Sequence, residues 1–396
     1  MFVWISFIIS FSLLIFLARK ELWLALFLAG SILALTNLSL SEYKISVIGT
    51  ITDPSIIMLA IALGIIPFIG AIMNESGMLK EMIDNLKMSR RVFMAFAPSF
   101  MGLLPVPGGA LLSAPMLEYG KGKVNDVDIS VINIWFRHLL ILIYPLSSLL
   151  VCTKMANVEI YSTVFYLIPG FILMLILGYL FFLKKISGDL STNKNRDLKK
   201  IIFPTTIILS APLLHILLLN IFQPKDPESV LLIAVSFTFF LLIFWGKVTF
   251  PIIKKSWITI KPWKFSLLLM MMFYFIHIFQ RTQIVQEVAN LTYPMYVLII
   301  PITFIFSFLT GRIQTAVALI LPIFFAKYGQ GSMTPQIFAI FYFSMFIGYI
   351  ISPLHVCLLV TIEYFNVSMK DFYRRIYPVI LICFIVVSMT AFLYLK

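Results

Sequence analysis

Two arginines, Arg137 and Arg312, and all four histidines, His138, His215, His277 and His355, fall inside long apolar stretches, whereas all 17 Asp and Glu fall in loops or at the ends of such stretches. An ionisable group inside a bilayer costs roughly 2.5 to 3.5 kcal/mol on insertion scales and is a functional candidate by default. Without an acidic neighbour in sequence, each arginine is suited to receive an anion through its planar fork. Arg312 stands at a break in an apolar stretch, Thr310-Gly311-Arg312, where packing on helix-end carbonyls is the structural alternative. Arg137 and His138 lie about ten residues into a span, and Arg137 could equally snorkel to the interface.

The backbone around these side chains carries chemistry as well. The run Pro105, Pro107, Gly108, Gly109 frees backbone N–H groups, and a helix starting near Ala110, with Ser113 in its first turn, would aim its positive end at a bound anion. Gln314 and Thr315 occupy the turn after Gly311, where hydroxyls and exposed carbonyls could hold a sodium ion. Pro145 with Ser147 and Ser148, and Pro353 with Ser352 and His355, interrupt two further stretches, each proline freeing a carbonyl acceptor. Helix capping is the structural reading of these polar residues. His215 and His277 read as satisfied packing residues. Cys152, Cys357 and Cys383 have no metal-ligand or CxxC spacing, so neither metal nor cofactor is expected.

The positioning elements are membrane helices. The chain has 396 residues, 61% of them hydrophobic and 12% charged, and a mean hydropathy of +1.02, which no water-exposed surface tolerates. Ten stretches are long enough to cross, near 2–18, 22–40, 55–73, 128–151, 160–183, 201–221, 229–246, 264–280, 336–361 and 376–395. Stretches 92–117 and 294–326 are broken centrally by LLPVPGGA and LTGRIQTA and read as re-entrant hairpins, since open backbone in lipid needs shielding or a wet cavity. The first stretch lacks a basic leader and a cleavage site and reads as a retained anchor.

Charge then orients the chain. With both hairpins returning, 22 of the 30 Lys and Arg share one side, six share the other and two lie within the membrane. The basic side is cytoplasmic, which places both termini outside in a multi-pass plasma-membrane protein. The same asymmetry accounts for the net charge of +13 without a nucleic-acid partner. Residues 74–91 space Met78, Leu79, Met82, Ile83 and Leu86 on one face of a helix lying at the interface.

An internal repeat is also legible. GLLPVPGGALLSAPMLEYG at 102–120 and GRIQTAVALILPIFFAKYG at 311–329 align at an offset of 209, the Pro-Leu pairs at Pro145 and Pro353 at 208, and Phe68 with Phe275 at 207. Each half contains five crossings and a hairpin, so the second copy must be inverted. The expected architecture is an all-α integral membrane fold of about ten transmembrane helices plus two re-entrant hairpins. The first repeat occupies 1–184, a cytoplasmic linker 185–200, and the second repeat 201–396. Inverted repeats with broken helices are the pattern of secondary transporters, with the site where the breaks converge.

GLLPVPGGALLSAPM, WFRHLLILIYPL, GRIQTAVALILPI and SPLHVCLLV resemble an uncharacterised prokaryotic membrane family, domain of unknown function 401. That family is placed in the ion-transporter superfamily with arsenite and sodium antiporters, gluconate permeases and citrate or dicarboxylate transporters. The resemblance implies inverted repeats, two hairpins and, as in many members, a homodimer with a moving transport domain. The Ser-Asn-Thr hairpin tips of the dicarboxylate branch are missing. The expected function is secondary transport of a small anion, an organic acid, coupled to sodium or protons, with a sodium/proton antiporter as the alternative. No HExxH, GxSxG or paired membrane carboxylates suggest an enzyme.

Overall fold

Backbone amides surrounded by apolar side chains must find partners within their own segment, and the fold is accordingly all-helical. The computed structural model describes residues 2–18, 20–85, 88–103, 110–188 and 197–395. The first half contains α1 (Phe2–Ala18), α2 (Leu22–Asn37), α3 (Leu40–Ile51), α4 (Pro54–Glu75) and the short α5 (Met78–Asp84). There follow α6 (Arg90–Gly102), α7 (Ala110–Gly120), α8 (Asp126–Leu139), α9 (Ser148–Ala156) and α10 (Ile160–Gly178), the last running into a π turn at Tyr179–Leu183. The second half begins with α11 (Lys199–Phe222), α12 (Pro227–Trp245), α13 (Phe250–Ile260), α14 (Trp263–Phe279) and the short α15 (Ile284–Ala289). Next, α16 (Met295–Val297) passes through a π turn at Leu298–Ile302 into α17 (Thr303–Thr310), followed by α18 (Ile313–Tyr328), α19 (Pro335–Ile350), α20 (Val356–Tyr364) and α21 (Met369–Tyr394).

Among the described residues, six helical runs are long and apolar enough to cross a bilayer: Pro54–Glu75, Ile160–Leu183, Lys199–Phe222, Pro227–Trp245, Phe250–Phe279 and Met369–Tyr394. Shorter apolar helices accompany them, and large side chains such as Phe165, Leu213, Phe244 and Trp245 face outward, as lipid contact requires. This is a multi-pass membrane protein by length and composition.

The structure departs from the sequence reading in three places. Stretches 128–151 and 336–361, expected to cross with an interruption at Pro145 and Pro353, are interrupted more fully than a kink: each helix stops several residues before its proline and restarts after it, as α8 and α9 and as α19 and α20. Residues 40–51 and 250–260, expected in loops, form α3 and α13. The interfacial helix expected over 74–91 is shorter, at Met78–Asp84, and buries Leu79 and Met82 against α4 and α11. Leu86 lies outside the described residues.

The helices pack in two groups. In one, α2 and α4 meet α14, α4 also meets α12 and α13, and α1 and α11 complete the layer beside α2 and α12. The other group holds α6 to α10 and α16 to α21, with α6 on α8, α17 on α19, α7 on α20 and α18 on α9. Helix-to-helix packing between the groups runs through α14 and α15 on α18 and α1 on α17.

Candidate functional site

Helix α8 is launched by Asn125, whose side chain accepts the Asp128 amide at 2.8 Å, and its last turn carries Arg137 and His138. Pro145 cannot extend a helix, so the chain leaves α8 through turns until Ser147 caps α9. The Ser147 hydroxyl accepts from the Leu149 amide at 3.2 Å and donates to the Ile141 carbonyl at 3.1 Å. Ser148 meets the Tyr342 hydroxyl of α19 at 2.9 Å.

The second break is built the same way. Ser352 donates to the Phe308 carbonyl at the end of α17 at 2.5 Å and accepts from the Leu354 amide at 3.1 Å. Beyond Pro353, His355 stands in the cap position of α20 with a side chain that makes no cap hydrogen bond. Gly311 closes α17 at φ +65°, and a Cβ there would lie 2.7 Å from the Leu354 carbonyl carbon, so the turn before α18 rests directly on this break. Arg312 is extended at φ −150° and starts α18. Among the described residues no carboxylate forms an ion pair with it. Thr315 is fully buried with its hydroxyl unpartnered, and Gln314 is half-buried.

Arg137 is 3% exposed and His138 is 0% exposed. The Arg137 Nη1 lies 3.4 Å from the Ser113 hydroxyl, which brings α7 beside α8. Gly102, the last residue of α6, backs onto the Arg137 carbonyl so closely that a Cβ would sit 1.8 Å from that oxygen. The helix expected near Ala110 does begin there, but Pro105, Pro107, Gly108 and Gly109 lie outside the described residues.

These groups converge on one aromatic and imidazole cluster. The ring centroids of His138 and His355 are 4.7 Å apart, those of Tyr349 and His355 4.1 Å, and those of His138 and Tyr349 5.4 Å. Of the residues singled out in the sequence, Ser113, Arg137, His138 and His355 meet here, with Gly311 and Arg312 on the adjoining turn. Pro145, Ser147 and Ser148 belong to the other break, which faces α18 and α19 instead. Sequence reasoning passed over Tyr349 and dismissed Cys357 for want of CxxC spacing; the His355-x-Cys357 spacing was the one local signal for the latter. It also passed over Asn133, whose amide donates to Thr361 at 3.0 Å in the interior between α8 and α20. His215 and His277 are satisfied on one nitrogen, by Tyr161 at 2.7 Å and Thr50 at 2.9 Å, as packing residues would be.

Residues 3–394 match the family described as Protein of unknown function (DUF401). The chain belongs to this family. No curated protein matches it. For this DUF401 protein the match spans both helix groups and both breaks, so the cluster at His138, Tyr349 and His355 lies within the family domain.

Proposed function

We propose that this DUF401 protein is a secondary active transporter of a small anion of the organic-acid class, coupled to sodium or protons by alternating access. The observation that carries the reading is Arg312. It lies in the turn between two helices, next to a broken helix, with no carboxylate paired to it among the described residues. A half-buried guanidinium among apolar helices and beside open backbone has the chemistry of an anion site.

The arrangement of helices supports two inverted repeats. Helices α1 to α10 correspond in order to α11 to α21, with α16 and α17 together matching α6. Exchanging the halves turns several principal contacts into others: α2 on α14 into α12 on α4, α3 on α14 into α13 on α4, α7 on α20 into α18 on α9, and α8 on α21 into α19 on α10. In this reading α6–α7 and α16–α18 are re-entrant hairpins, α1–α4 with α11–α14 form the static frame, and the other group carries the substrate. The basic loops are cytoplasmic and both termini are outside.

A sodium/proton antiporter is the second reading, favoured by the buried imidazole nitrogens of His138 and His355 that lack partners. Proteoliposomes loaded against a panel of organic anions, with a sodium or a proton gradient, separate the two. Gradient-dependent anion uptake that Arg312→Ala abolishes and Arg312→Lys partly retains is the expected result. Sodium-driven proton movement with no anion uptake would replace it with the antiporter.

A further inference from the structure

The cluster holds chemistry that anion transport does not use. His138, His355 and Cys357 each offer one ligand atom, and these atoms all lie within 4.8 Å of one another. We propose that these three residues bind a d10 transition-metal ion of the Zn2+ class.

The imidazoles are set up as ligands. The His138 Nδ1 lies 2.6 Å from the Ile134 carbonyl, which can only accept, so Nδ1 carries the proton and Nε2 keeps its lone pair. That Nε2 has no hydrogen-bond partner, although the residue is fully buried. A metal-bound histidine almost always has its second nitrogen held by such a carbonyl. In His355 both ring nitrogens lack a partner; the Ile350 carbonyl is near but outside hydrogen-bonding geometry. Three orphaned nitrogens in one buried cluster are expensive to maintain, and a single ion would satisfy two of them while giving His355 reason to turn its other N–H to Ile350.

Ligand type selects the ion. One thiol with two imidazoles is a soft to borderline set that suits Zn2+ or Cu+ and not Mg2+ or Ca2+. Bonds of about 2.0 to 2.3 Å need ligand atoms about 3.5 to 4 Å apart, so the present spread closes with a small side-chain rotation. As the metal–sulfur bond forms, the Cys357 thiol releases its proton to water. Cys357 is half-buried and offers the route in. Three protein ligands leave a fourth position for water or an exchangeable ligand. The ion would tie the last turn of α8 to the first turn of α20, joining the two halves of the chain. This inference does not rest on the anion reading, and it competes with the antiporter reading for the same two imidazoles.

Full-length protein in detergent, stripped with a chelator and titrated with Co2+, tests it. One Co2+ per chain, with the intense bands of a tetrahedral site and a thiolate-to-cobalt charge-transfer band, is expected, and excess Zn2+ should displace it. Cys357→Ser should lose the charge-transfer band and weaken Zn2+ binding by roughly tenfold or more, while Cys152→Ser and Cys383→Ser should behave as wild type. In unmutated protein, Zn2+ should protect one thiol from maleimide, a readout that holds if His138→Asn or His355→Asn fails to fold. The proposal is overturned if wild-type protein binds no stoichiometric metal, if its cobalt spectrum lacks the thiolate band, or if Cys357→Ser binds as wild type.

Discussion

Replacing Gly311 with alanine separates two physical effects that most glycine substitutions confound. At φ +65° an alanine pays the left-handed backbone cost of about 1 to 2 kcal/mol, reduced by about 0.4 to 1 kcal/mol through the lower entropy of the unfolded chain. Gly77 has the same kind of backbone, φ +78°, but nothing lies within 4 Å of a Cβ built on it, so Gly77→Ala measures those two terms alone. At Gly311 the new methyl would instead meet the Leu354 carbonyl carbon at 2.7 Å and its oxygen at 2.9 Å. Backbone cannot rotate away as a side chain can, and overpacking of this kind costs a further 1 to 3 kcal/mol or so. Gly311→Ala should therefore be less stable than Gly77→Ala by about 1 to 3 kcal/mol, because the backbone and entropy terms cancel in the comparison. Thermal unfolding of both purified variants in the same detergent gives the ordering, and uptake by Gly311→Ala should fall because the turn bearing Arg312 is pushed off the break. Equal midpoints for the two variants would refute the close approach of the α17–α18 turn to Leu354.

Gly102→Ala should be more damaging still, since its Cβ would lie 1.8 Å from the Arg137 carbonyl; loss of folded, monodisperse protein is expected, and a normal elution profile counts against the contact. Lys154→Met leaves Glu228, whose side chain is only 9% exposed, without its partner at 2.5 Å. Its cost should reach roughly 2 kcal/mol, between buried and surface pairs, whereas Lys255→Met, which frees Glu75 from a lysine side chain 69% exposed, should cost under about 1 kcal/mol. Thermal midpoints in the reverse order would sink this argument. At α3 the Ser39 hydroxyl, and after it the Ser39 amide, hold the Glu42 carboxyl below its usual range. A depressed carboxyl contributes above its unfolded value and loses that contribution as pH falls through the folded one, so hydrogen-exchange protection of the α3 amides should weaken only in acid, and Ser39→Ala, which keeps the backbone amide but loses the hydroxyl, should reduce that pH dependence without abolishing it.

Much of this fold was legible because long apolar runs and basic loops are read one residue at a time, without knowledge of packing. The breaks at Pro145 and Pro353 were legible for the same local reason, a missing amide. Helices α3 and α13 were not. LSEYKISVIGTI and FPIIKKSWITI are 12 and 11 residues long and mixed in polarity, so a search for crossing segments discards them, and their helical state depends on packing against α14 and α4. The site was half legible. Arg137, His138 and His355 stood out as ionisable groups in apolar surroundings, but nothing local linked His138 to a histidine 217 positions later. The repeat does not link them either: at an offset of 208, His138 aligns with Phe346 and His355 with Ser147. On the proposed repeat, the histidine pair would be a departure from internal symmetry, and Cys357, dismissed on cysteine spacing, acquires its neighbours only through the crossing of α7 and α8 onto α20.

That departure bears on how the two helix groups work together. Each break is braced within its own group: Ser352 holds the second to Phe308, Gly311 rests on Leu354, and α7 and α18 pack on α20 and α9. Displacing either break alone would open this buried packing, so α6–α10 with α16–α21 should move as one body. Across the seam to the other group the side-chain links are few and polar: Tyr144 donates to the Ile208 carbonyl at 3.0 Å, Tyr161 meets His215 at 2.7 Å, and Lys154 pairs with Glu228. Two hydrogen bonds at about 1 kcal/mol each and one half-buried ion pair at about 2 kcal/mol put the polar part of this seam at roughly 4 kcal/mol, beside the helix packing of α14 and α15 on α18 and of α1 on α17. A ligand at a hundredfold its dissociation constant supplies about 2.7 kcal/mol, enough to offset most of those polar links yet far too little to unpack a core. On the proposed transporter reading, a two-body motion that keeps the His138–Tyr349–His355 cluster intact is the one that ligand binding favours, and the polar links at α9–α12 and α10–α11 are where it should begin.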